Sequence, residues 1–217
     1  MIYKKNNFFK INKEILKEYN EIKKLKKYRI TNSMSSLKFA KDIKKYKNIY
    51  NLFLKIEKII KKKKKNVIFE DIWLVKSNKR FTNLDKVPHV PHIDKIRKYK
   101  VMVYLNDIGI NCGPLHISKI SPEKFEEKRK KFSKNYQKNK ENIINIPKEK
   151  FIPCVGPFGT TIFFDTNSPH FGGRIMKINK ERLILRFNFR YVDKFTKNIN
   201  YLLKRFKISN KAYFLNN

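Results

Sequence analysis

The segment from residue 181 to residue 190 constrains the fold more than any other part of the 217-residue chain, because apolar and polar residues alternate along it. On an extended chain, residues two apart lie on the same face. One face would carry Leu183, Leu185, Phe187 and Phe189, and the other Arg182, Ile184, Arg186, Asn188 and Arg190. Several arginines on an inward face need an anion, and the guanidinium fork suits a carboxylate. The pattern predicts a strand between a hydrophobic core and a cavity that binds an acid.

Four segments have the composition of β-strands, since they are rich in β-branched and aromatic residues. They are residues 67–75, 99–105, 160–164 and 182–191. In the second of these, one face is largely apolar and suited to packing under helices: Tyr99, Val101, Val103 and Leu105. The other face is mixed: Lys100, Met102, Tyr104 and Asn106. The mixed face would suit either a ligand cavity or contact with water.

Residues 1–65 are predicted to be helical. Apolar residues recur at helical spacing between residues 35 and 62, with lysines on the opposite face, and a shorter helix is expected over residues 12–28. Helices followed by many short strands indicate a mainly β fold with N-terminal helices, an antiparallel barrel or jelly roll. Within one structural domain we therefore expect a helical buttress (residues 1–65), a β core (66–195) and a C-terminal extension (196–217).

A very polar segment interrupts the β core. It opens with Ser121-Pro122-Glu123, and serine before proline before glutamate is a good helix start. We therefore predict an inserted surface helix over residues 121–142.

The formal charge of +35 raises the possibility of a nucleic-acid or anionic-lipid partner. The excess is mostly lysine spread along the whole chain, which is typical of solvated surfaces, and residues 61–65 are the best candidate for a real patch. A hydrophobic content of 41% excludes a disordered chain, and no apolar run is long enough to span a bilayer. Cys112 and Cys154 match neither a disulfide framework nor a zinc pattern, so a reducing cytoplasm is expected.

A metal site is predicted from the histidines. His92-Ile93-Asp94 places an imidazole and a carboxylate two residues apart, on one face of an extended segment. His170, between two β-rich segments, is the candidate third ligand. Two histidines and one carboxylate on one face of an ion form the facial triad of non-haem Fe(II) oxygenases. A His-x-Asp pair alone is a weak signal, and the arginine-bearing strand that follows His170 strengthens it.

The sequence resembles the phytanoyl-CoA dioxygenase-like branch of the Fe(II)/2-oxoglutarate-dependent oxygenases. The matching stretches are His92-Ile93-Asp94 and residues 100–107, 111–115 and 159–173, followed by Arg182, in an order and spacing more specific than any one piece. The resemblance covers about residues 67–192. It implies a double-stranded β-helix, a cupin-like jelly roll, with iron at one open end. It also implies His92, Asp94 and His170 as the iron ligands.

The same resemblance implies a cosubstrate site. Arg182, twelve residues after His170, occupies the place of the arginine that pairs with the distal carboxylate of 2-oxoglutarate, and Arg186 is its rival on the same face. Tyr104 or Lys100 would add a hydrogen bond to that cosubstrate. Together with O2, these cofactors would oxidise a small molecule and release succinate and CO2. Asp94 favours hydroxylation, because related halogenating enzymes carry a small residue in its place. The basic charge favours an anionic substrate.

The sequence departs from the family after Gly113-Pro114-Leu115, where a Gly-Ser-His run is common and this chain has His116-Ile117-Ser118. His116 is therefore either a displaced site residue or, as we expect, a histidine with no metal role. His89 is either a residue that supports His92 or a plain turn histidine. Two other functions stay open: a basic binding protein on a barrel scaffold with a vestigial metal site, and an enzyme that holds Zn or Mn instead of iron.

Overall fold

The structure is a computed structural model of the chain, and it describes residues 3–6, 8–24, 29–31, 34–38, 43–64, 66–78, 87–176 and 179–193. Within these residues the chain is mostly β, with few helices. The strands are β1 Tyr3–Lys5, β2 Arg29–Thr31, β3 Met34–Lys38, β4 Val67–Asn78, β5 Lys98–Tyr104, β6 Leu115–Ser118, β7 Phe151–Cys154, β8 Thr161–Asp165, β9 His170–Gly172 and β10 Glu181–Tyr191. The helices are α1 Ile15–Lys24, α2 Lys47–Lys63 and α3 Glu126–Lys130, with 3-10 turns at Pro122–Phe125 and Lys148–Lys150.

Two antiparallel sheets contain these strands. The major sheet has the order β1-β8-β5-β10-β4-β3-β2, and the minor sheet has the order β7-β6-β9. β10 lies between β4 and β5, where Arg186 is opposite both Trp73 and Met102. The four segments predicted as strands are confirmed as β4, β5, β8 and β10, each within a few residues of the expected bounds. The arrangement is jelly-roll-like.

One face of the major sheet packs against the helices. α1 buries Ile15, Tyr19 and Ile22, and α2 buries Ile49, Leu52, Phe53, Ile56 and Ile60. These side chains share one core with the apolar faces of β5 and β10, as the alternation of both strands predicts. Glu18 fastens the two helices together, because its carboxylate accepts the backbone N–H groups of Asn48 and Ile49 at 2.8 Å each. That carboxylate also suits the positive end of the α2 dipole.

The opposite face of the major sheet packs against the minor sheet. Its apolar members Met102, Tyr104, Ile162, Phe164 and Ile184 share a second core with Leu115, Ile117 and Cys154. Lys100 on the same face is also buried. The mixed face of β5 therefore lies inside the molecule, and the interpretation that it contacts water is wrong. Cys112 and Cys154 are both buried and free.

The prediction of helix over the first 65 residues is wrong in three places. β1 pairs with β8, and β3 pairs with both β2 and β4 where helix was expected from residue 35. The physical reason is that neighbouring strands offer backbone edges, β8 to β1 and the twelve-residue β4 to β3. Pairing along these edges satisfies backbone N–H and C=O groups, and apolar spacing within one segment does not reveal it. α1 and α2 are shorter versions of the two predicted helices. Residues 25–28, at the end of the first one, lie outside the described residues.

The insert is helical only at its start. α3 ends at Lys130, and the following residues form turns where helix was predicted to residue 142. Glu141 causes the chain to fold back, because its carboxylate accepts both the backbone N–H of Ser133 at 2.8 Å and its hydroxyl at 2.5 Å. Lys140 has a positive φ of 55°, which a continuing helix does not allow. Serine and asparagine side chains that bond to nearby groups favour turns over helix.

The division of the chain at residues 65 and 195 stays a prediction, and the extension over residues 196–217 lies outside the described residues. Among the helices that the structure describes, none is long and apolar enough to cross a membrane.

Candidate metal centre

Backbone pairing brings together the two predicted histidine ligands, which are 78 positions apart in the sequence. His92 and His170 form an isolated antiparallel bridge in which each N–H donates to the other's carbonyl, at 3.1 Å and 2.9 Å. His170 is also the first residue of β9, which pairs with β6. The backbone N–H of Asp94 donates to the carbonyl of Thr166 at 3.2 Å. All three residues are therefore fixed by hydrogen bonds of their own main chain.

The side chains of His92, Asp94 and His170 converge. Each offers one ligand atom, and these three atoms lie within 4.8 Å of one another. The Nε2 atoms of both histidines lie 3.9 Å from Oδ1 of Asp94, and the ring centroids are 4.4 Å apart. Both imidazoles are buried, whereas the Asp94 side chain is 26% exposed. The group therefore opens toward solvent on the carboxylate side.

Hydrogen bonds fix which nitrogen of each imidazole faces the group. Nδ1 of His92 bonds to the carbonyl of Val90 at 2.8 Å, and Nδ1 of His170 bonds to the carbonyl of Ser168 at 2.9 Å. A carbonyl only accepts, so each Nδ1 carries the proton and each Nε2 keeps its lone pair. Carbonyls that orient a ligating histidine in this way are a regular feature of metal sites. Both lone pairs are thus presented toward Asp94.

The electrostatics of the group also suit a cation. Burial lowers the pKa of His170 to about 3, and burial likewise lowers the pKa of His92. Burial acts to raise the pKa of Asp94, but Lys100, His170 and His92 together outweigh it and hold that pKa well below its usual range. Two neutral imidazoles and an ionised carboxylate are the protonation states that a divalent metal requires. Their mixed nitrogen and oxygen donors fit Fe(II).

Lys100 is the direct partner of Asp94. Its Nζ lies 2.6 Å from Oδ2 of Asp94, which leaves Oδ1 facing the two histidines. Burial lowers the pKa of Lys100 to about 8, although Asp94 acts to raise it. The sequence predicts Lys100 as a cosubstrate ligand, but here the ammonium group contacts a predicted metal ligand. The pair therefore fixes the orientation of the carboxylate.

The two arginines predicted for the cosubstrate lie in different environments. Arg182 is buried and donates to the carbonyl of Gly113 and, at 3.4 Å, to the hydroxyl of Ser77. A Cβ added to Gly172 would lie 3.3 Å from its guanidinium, so Arg182 packs directly against β9. Arg186 is partly exposed and stacks on Trp73, with 4.4 Å from its Cζ to the ring centroid.

Tyr104 and the two remaining histidines bond to the backbone. The Tyr104 hydroxyl donates to the carbonyl of Cys154 at 2.7 Å and accepts the N–H of Leu115 at 3.3 Å. Nδ1 of His89 lies 3.1 Å from the carbonyl of Gly172, and Nδ1 of His116 lies 3.0 Å from that of Pro114. His116 also stacks on Phe171 at 4.4 Å. Neither histidine belongs to the metal-ligating group found among the described residues.

Sequence reasoning missed a polar chain beside Arg186. Nε1 of Trp73 donates to Oδ2 of Asp71 at 2.8 Å, and the other carboxylate oxygen accepts from the amide of Asn188. Asp71 and Asn188 are 117 positions apart and meet because β4 pairs with β10. The only available signal was the position of Asn188 on the arginine-bearing face of the strand.

No model of a known protein family matches the sequence, and no curated protein matches it. Solved structures do match the fold. One is SnoK, a non-haem α-ketoglutarate-dependent carbocyclase from nogalamycin biosynthesis, with a TM-score of 0.57 and 10% identity over 88% of this chain and 80% of that one. The chain has the fold of this enzyme.

Two further solved structures agree with that assignment of the fold. The viral collagen prolyl hydroxylase vCPH of Paramecium Bursaria Chlorella virus-1 matches with a TM-score of 0.53 and 16% identity, over 88% of this chain and 90% of that one. HygX from Streptomyces hygroscopicus, solved with iron bound, matches with a TM-score of 0.52 and 10% identity, over 88% and 82%. Identities this low establish the fold alone, so function is argued from the site.

Proposed function

We propose that this chain is an Fe(II)- and 2-oxoglutarate-dependent oxygenase that hydroxylates a small molecule. The observation that carries the proposal is the convergence of His92, Asp94 and His170, with both Nε2 lone pairs turned toward one carboxylate oxygen. The jelly-roll-like fold and the metal- and α-ketoglutarate-dependent enzymes that share it support the same function. We also propose that the fold is a double-stranded β-helix and that the chain belongs to the phytanoyl-CoA dioxygenase-like branch.

His92, Asp94 and His170 would hold the iron through Nε2, Oδ1 and Nε2. Lys100 would hold the second carboxylate oxygen, so that Asp94 binds the metal through one oxygen only. When bound, iron with 2-oxoglutarate supplies the activation of O2, and the cosubstrate leaves as succinate and CO2. The three residues would hold the ion from one side, and the open positions would supply room for cosubstrate and oxygen.

Arg182 is the residue we propose for the distal carboxylate of 2-oxoglutarate. Its guanidinium contacts β9 at Gly172, two residues beyond His170, a distance of about 7 Å along a strand. That span suits a five-carbon dicarboxylate whose other end lies at the metal. Gly172 has no Cβ that would crowd the guanidinium. Among the residues that the structure describes, the buried Nε of Arg182 has no hydrogen-bond partner, as expected of a donor that serves a bound anion. The Tyr104 hydroxyl donates its proton to the carbonyl of Cys154, so a hydrogen bond to the cosubstrate, which only accepts, would require that hydroxyl to turn away from Cys154.

Hydroxylation is the reaction we favour because Asp94 is a carboxylate that would fill the third protein position on iron. Two of the enzymes that share the fold are a prolyl hydroxylase and a carbocyclase, so the fold supports more than one outcome of C–H oxidation. The intact set of two histidines, one aspartate and a following arginine favours an enzyme over a basic binding protein with a vestigial site.

Anaerobic spectroscopy of the Fe(II) protein tests the proposal. Addition of 2-oxoglutarate is expected to produce the visible metal-to-ligand absorption of the chelate. Asp94→Ala is expected to lose that band and to reduce succinate formation at least 100-fold, because the carboxylate is one of only three protein ligands. Replacement of iron by Zn(II) or Mn(II) tests the two competing metals, and with either of them no succinate is expected to form.

A matched control is His116→Ala, which removes an imidazole of the same sheet that lies outside the metal-ligating group. It is expected to keep the band and the succinate yield. The proposal is wrong if Asp94→Ala forms succinate at the native rate. It is also wrong if the wild-type protein binds nucleic acid with a steep salt dependence while it consumes no 2-oxoglutarate, since that result would favour the binding protein.

A further inference from the structure

Arg186 is a half-buried cation, and no group among the described residues forms a hydrogen bond or an ion pair with its guanidinium. Its buried Nε makes no hydrogen bond, and among the described residues its two terminal nitrogens have neither a hydrogen-bond partner nor an ion pair. The neighbouring carboxylates already have partners: Asp94 pairs with Lys100, and Asp71 accepts from Trp73 and Asn188. A guanidinium inside a protein is costly to leave without hydrogen bonds, so Arg186 has the properties of one half of an ion pair.

Trp73 holds this guanidinium in one orientation. The indole lies 4.4 Å from Cζ of Arg186, and its own N–H is fixed by a 2.8 Å hydrogen bond to Asp71. Stacking occupies a face of the guanidinium plane and leaves its edge, which carries the N–H donors, free for a planar or tetrahedral oxyanion. The side chain is partly exposed, so a ligand can reach it from solvent.

The position of Arg186 separates it from the proposed cosubstrate partner. Arg182 and Arg186 are four residues apart on β10, about 13 Å along the strand. Arg182 contacts Gly172 of β9, whereas Arg186 stacks on Trp73 of β4. Burial lowers the pKa of Arg186, and the negative charge of the nearby Asp94 opposes that lowering. Arg186 therefore lies near the triad but away from the end of β9 assigned to 2-oxoglutarate.

We propose that Arg186, stacked on Trp73, is the binding site for an anionic group, a carboxylate or a phosphate, on the substrate that is oxidised. This inference rests on the proposed function and names the substrate class for it. The anion would anchor the substrate at Arg186 while a C–H bond of the same molecule lies beside the metal. A neutral compound would leave the cation unpaired and would bind more weakly.

Trp73 provides the experiment, because it is the single tryptophan of the chain. The protein is loaded with Mn(II) and 2-oxoglutarate, so that no turnover occurs, and its emission is followed while inorganic phosphate or acetate is added at constant ionic strength. We expect a saturable change in emission. The anion that saturates at the lower concentration identifies the substrate group as a phosphate or a carboxylate.

Three variants assign the response to Arg186. Arg186→Gln is expected to weaken binding of the anion at least 10-fold. It is expected to change the affinity for 2-oxoglutarate, measured by calorimetry, by less than 3-fold. The anion affinity of Arg186→Lys is expected to lie between those of the wild type and Arg186→Gln, because lysine keeps the positive charge but lacks the guanidinium fork. Arg190→Gln removes an arginine of the same strand that lies beyond the site, and it should match the wild type. Thermal melts of all three check that each protein is folded.

The inference is overturned if chloride, phosphate and acetate give the same unsaturable response in the wild-type protein. It is also overturned if Arg186→Gln abolishes 2-oxoglutarate binding while Arg182→Gln retains it, since Arg186 would then be the cosubstrate ligand. A wild-type protein that binds phosphate through Arg186 and does not bind 2-oxoglutarate would contradict the proposed function instead, and would keep the anion site.

Discussion

The two faces of the major sheet share one backbone and have opposite chemistry. On the helix side, β10 contributes Leu185, Phe187 and Phe189 to a core of buried, mainly apolar side chains. On the inner side, the same strand contributes Arg182, Arg186 and Asn188, whose contacts are a few individual polar atoms and one indole. The alternation of a strand therefore separates the residues that stabilise the fold from those that bind ligands.

The difference lies in how replaceable the residues are. A core side chain can be exchanged for another of similar volume at small cost, because dispersion and burial are not directional. A charged side chain on the inner face depends on one partner at one distance, as Lys100 does on Asp94 at 2.6 Å. Substitutions on the helix side should thus change stability with little effect on ligand affinity, and substitutions on the inner side should change both.

Phe187→Ala is expected to show the largest effect on stability. The side chain is fully buried on the helix side, and its removal should lower the free energy of unfolding by about 3–5 kcal/mol, measured by urea denaturation. Phe187→Leu is the matched control and should cost less than about 1.5 kcal/mol. Metal affinity of the folded fraction should not change. A parallel loss of metal affinity would mean that the two faces are not separable.

Arg97→Leu is expected to cost somewhat less, about 3 kcal/mol, the lower end for breaking a buried ion pair. Arg97 donates three hydrogen bonds to the buried Asp165, the shortest of them 2.7 Å, and also contacts Glu123 and Glu126 of the insert. Without it, Asp165 keeps a charge in the interior, and the insert loses its attachment to β8. Hydrogen exchange should therefore rise most over residues 122–130.

The control for Arg97 is Arg190→Leu, an equal loss of charge at a partly exposed arginine without a described ion pair. It should leave both stability and exchange close to the wild type. Equal destabilisation by the two substitutions would show that net charge, rather than the Asp165 pair, is responsible.

The sequence was sufficient where the information is local. Alternation along β5 and β10 predicts both strands and both of their faces. The spacing of His92-Ile93-Asp94 is a weak signal for two members of the candidate metal-binding group, and the arginine-bearing strand after His170 strengthens it. His170 is predicted as the third member from its position between two β-rich segments. In each case the period of a strand, or a two-residue spacing, carries the prediction.

Other features depend on pairing between distant segments, which the sequence does not encode locally. β3 is a strand because β4 extends beside it, although its residues have helical spacing. The Asp71–Asn188 bond requires a register between two strands more than a hundred positions apart. The fold-back of the insert depends on Glu141, eight residues from the serine it bonds. Tertiary context of this kind regularly overrides local propensity.

Lys100→Met is expected to show the smallest change in stability and the most informative change in binding. It leaves Asp94 without its partner, and because that carboxylate is 26% exposed the cost should be about 1–2 kcal/mol, below that of a fully buried pair. Metal affinity should increase several-fold, since the ammonium and a divalent ion are both attracted to one carboxylate. A Co(II) titration measures the affinity, and the stability gained on metal addition gives an independent value.

The direction of that change decides what Lys100 does. Tighter binding means that the ammonium competes with the metal and serves mainly to balance Asp94 in the metal-free protein. A 10-fold loss of affinity would mean that the 2.6 Å contact holds Oδ1 in the position a metal requires, so that orientation outweighs repulsion. Lys100→Arg separates the two effects, because it keeps the charge and changes the geometry: competition alone predicts native affinity, and orientation alone predicts a loss.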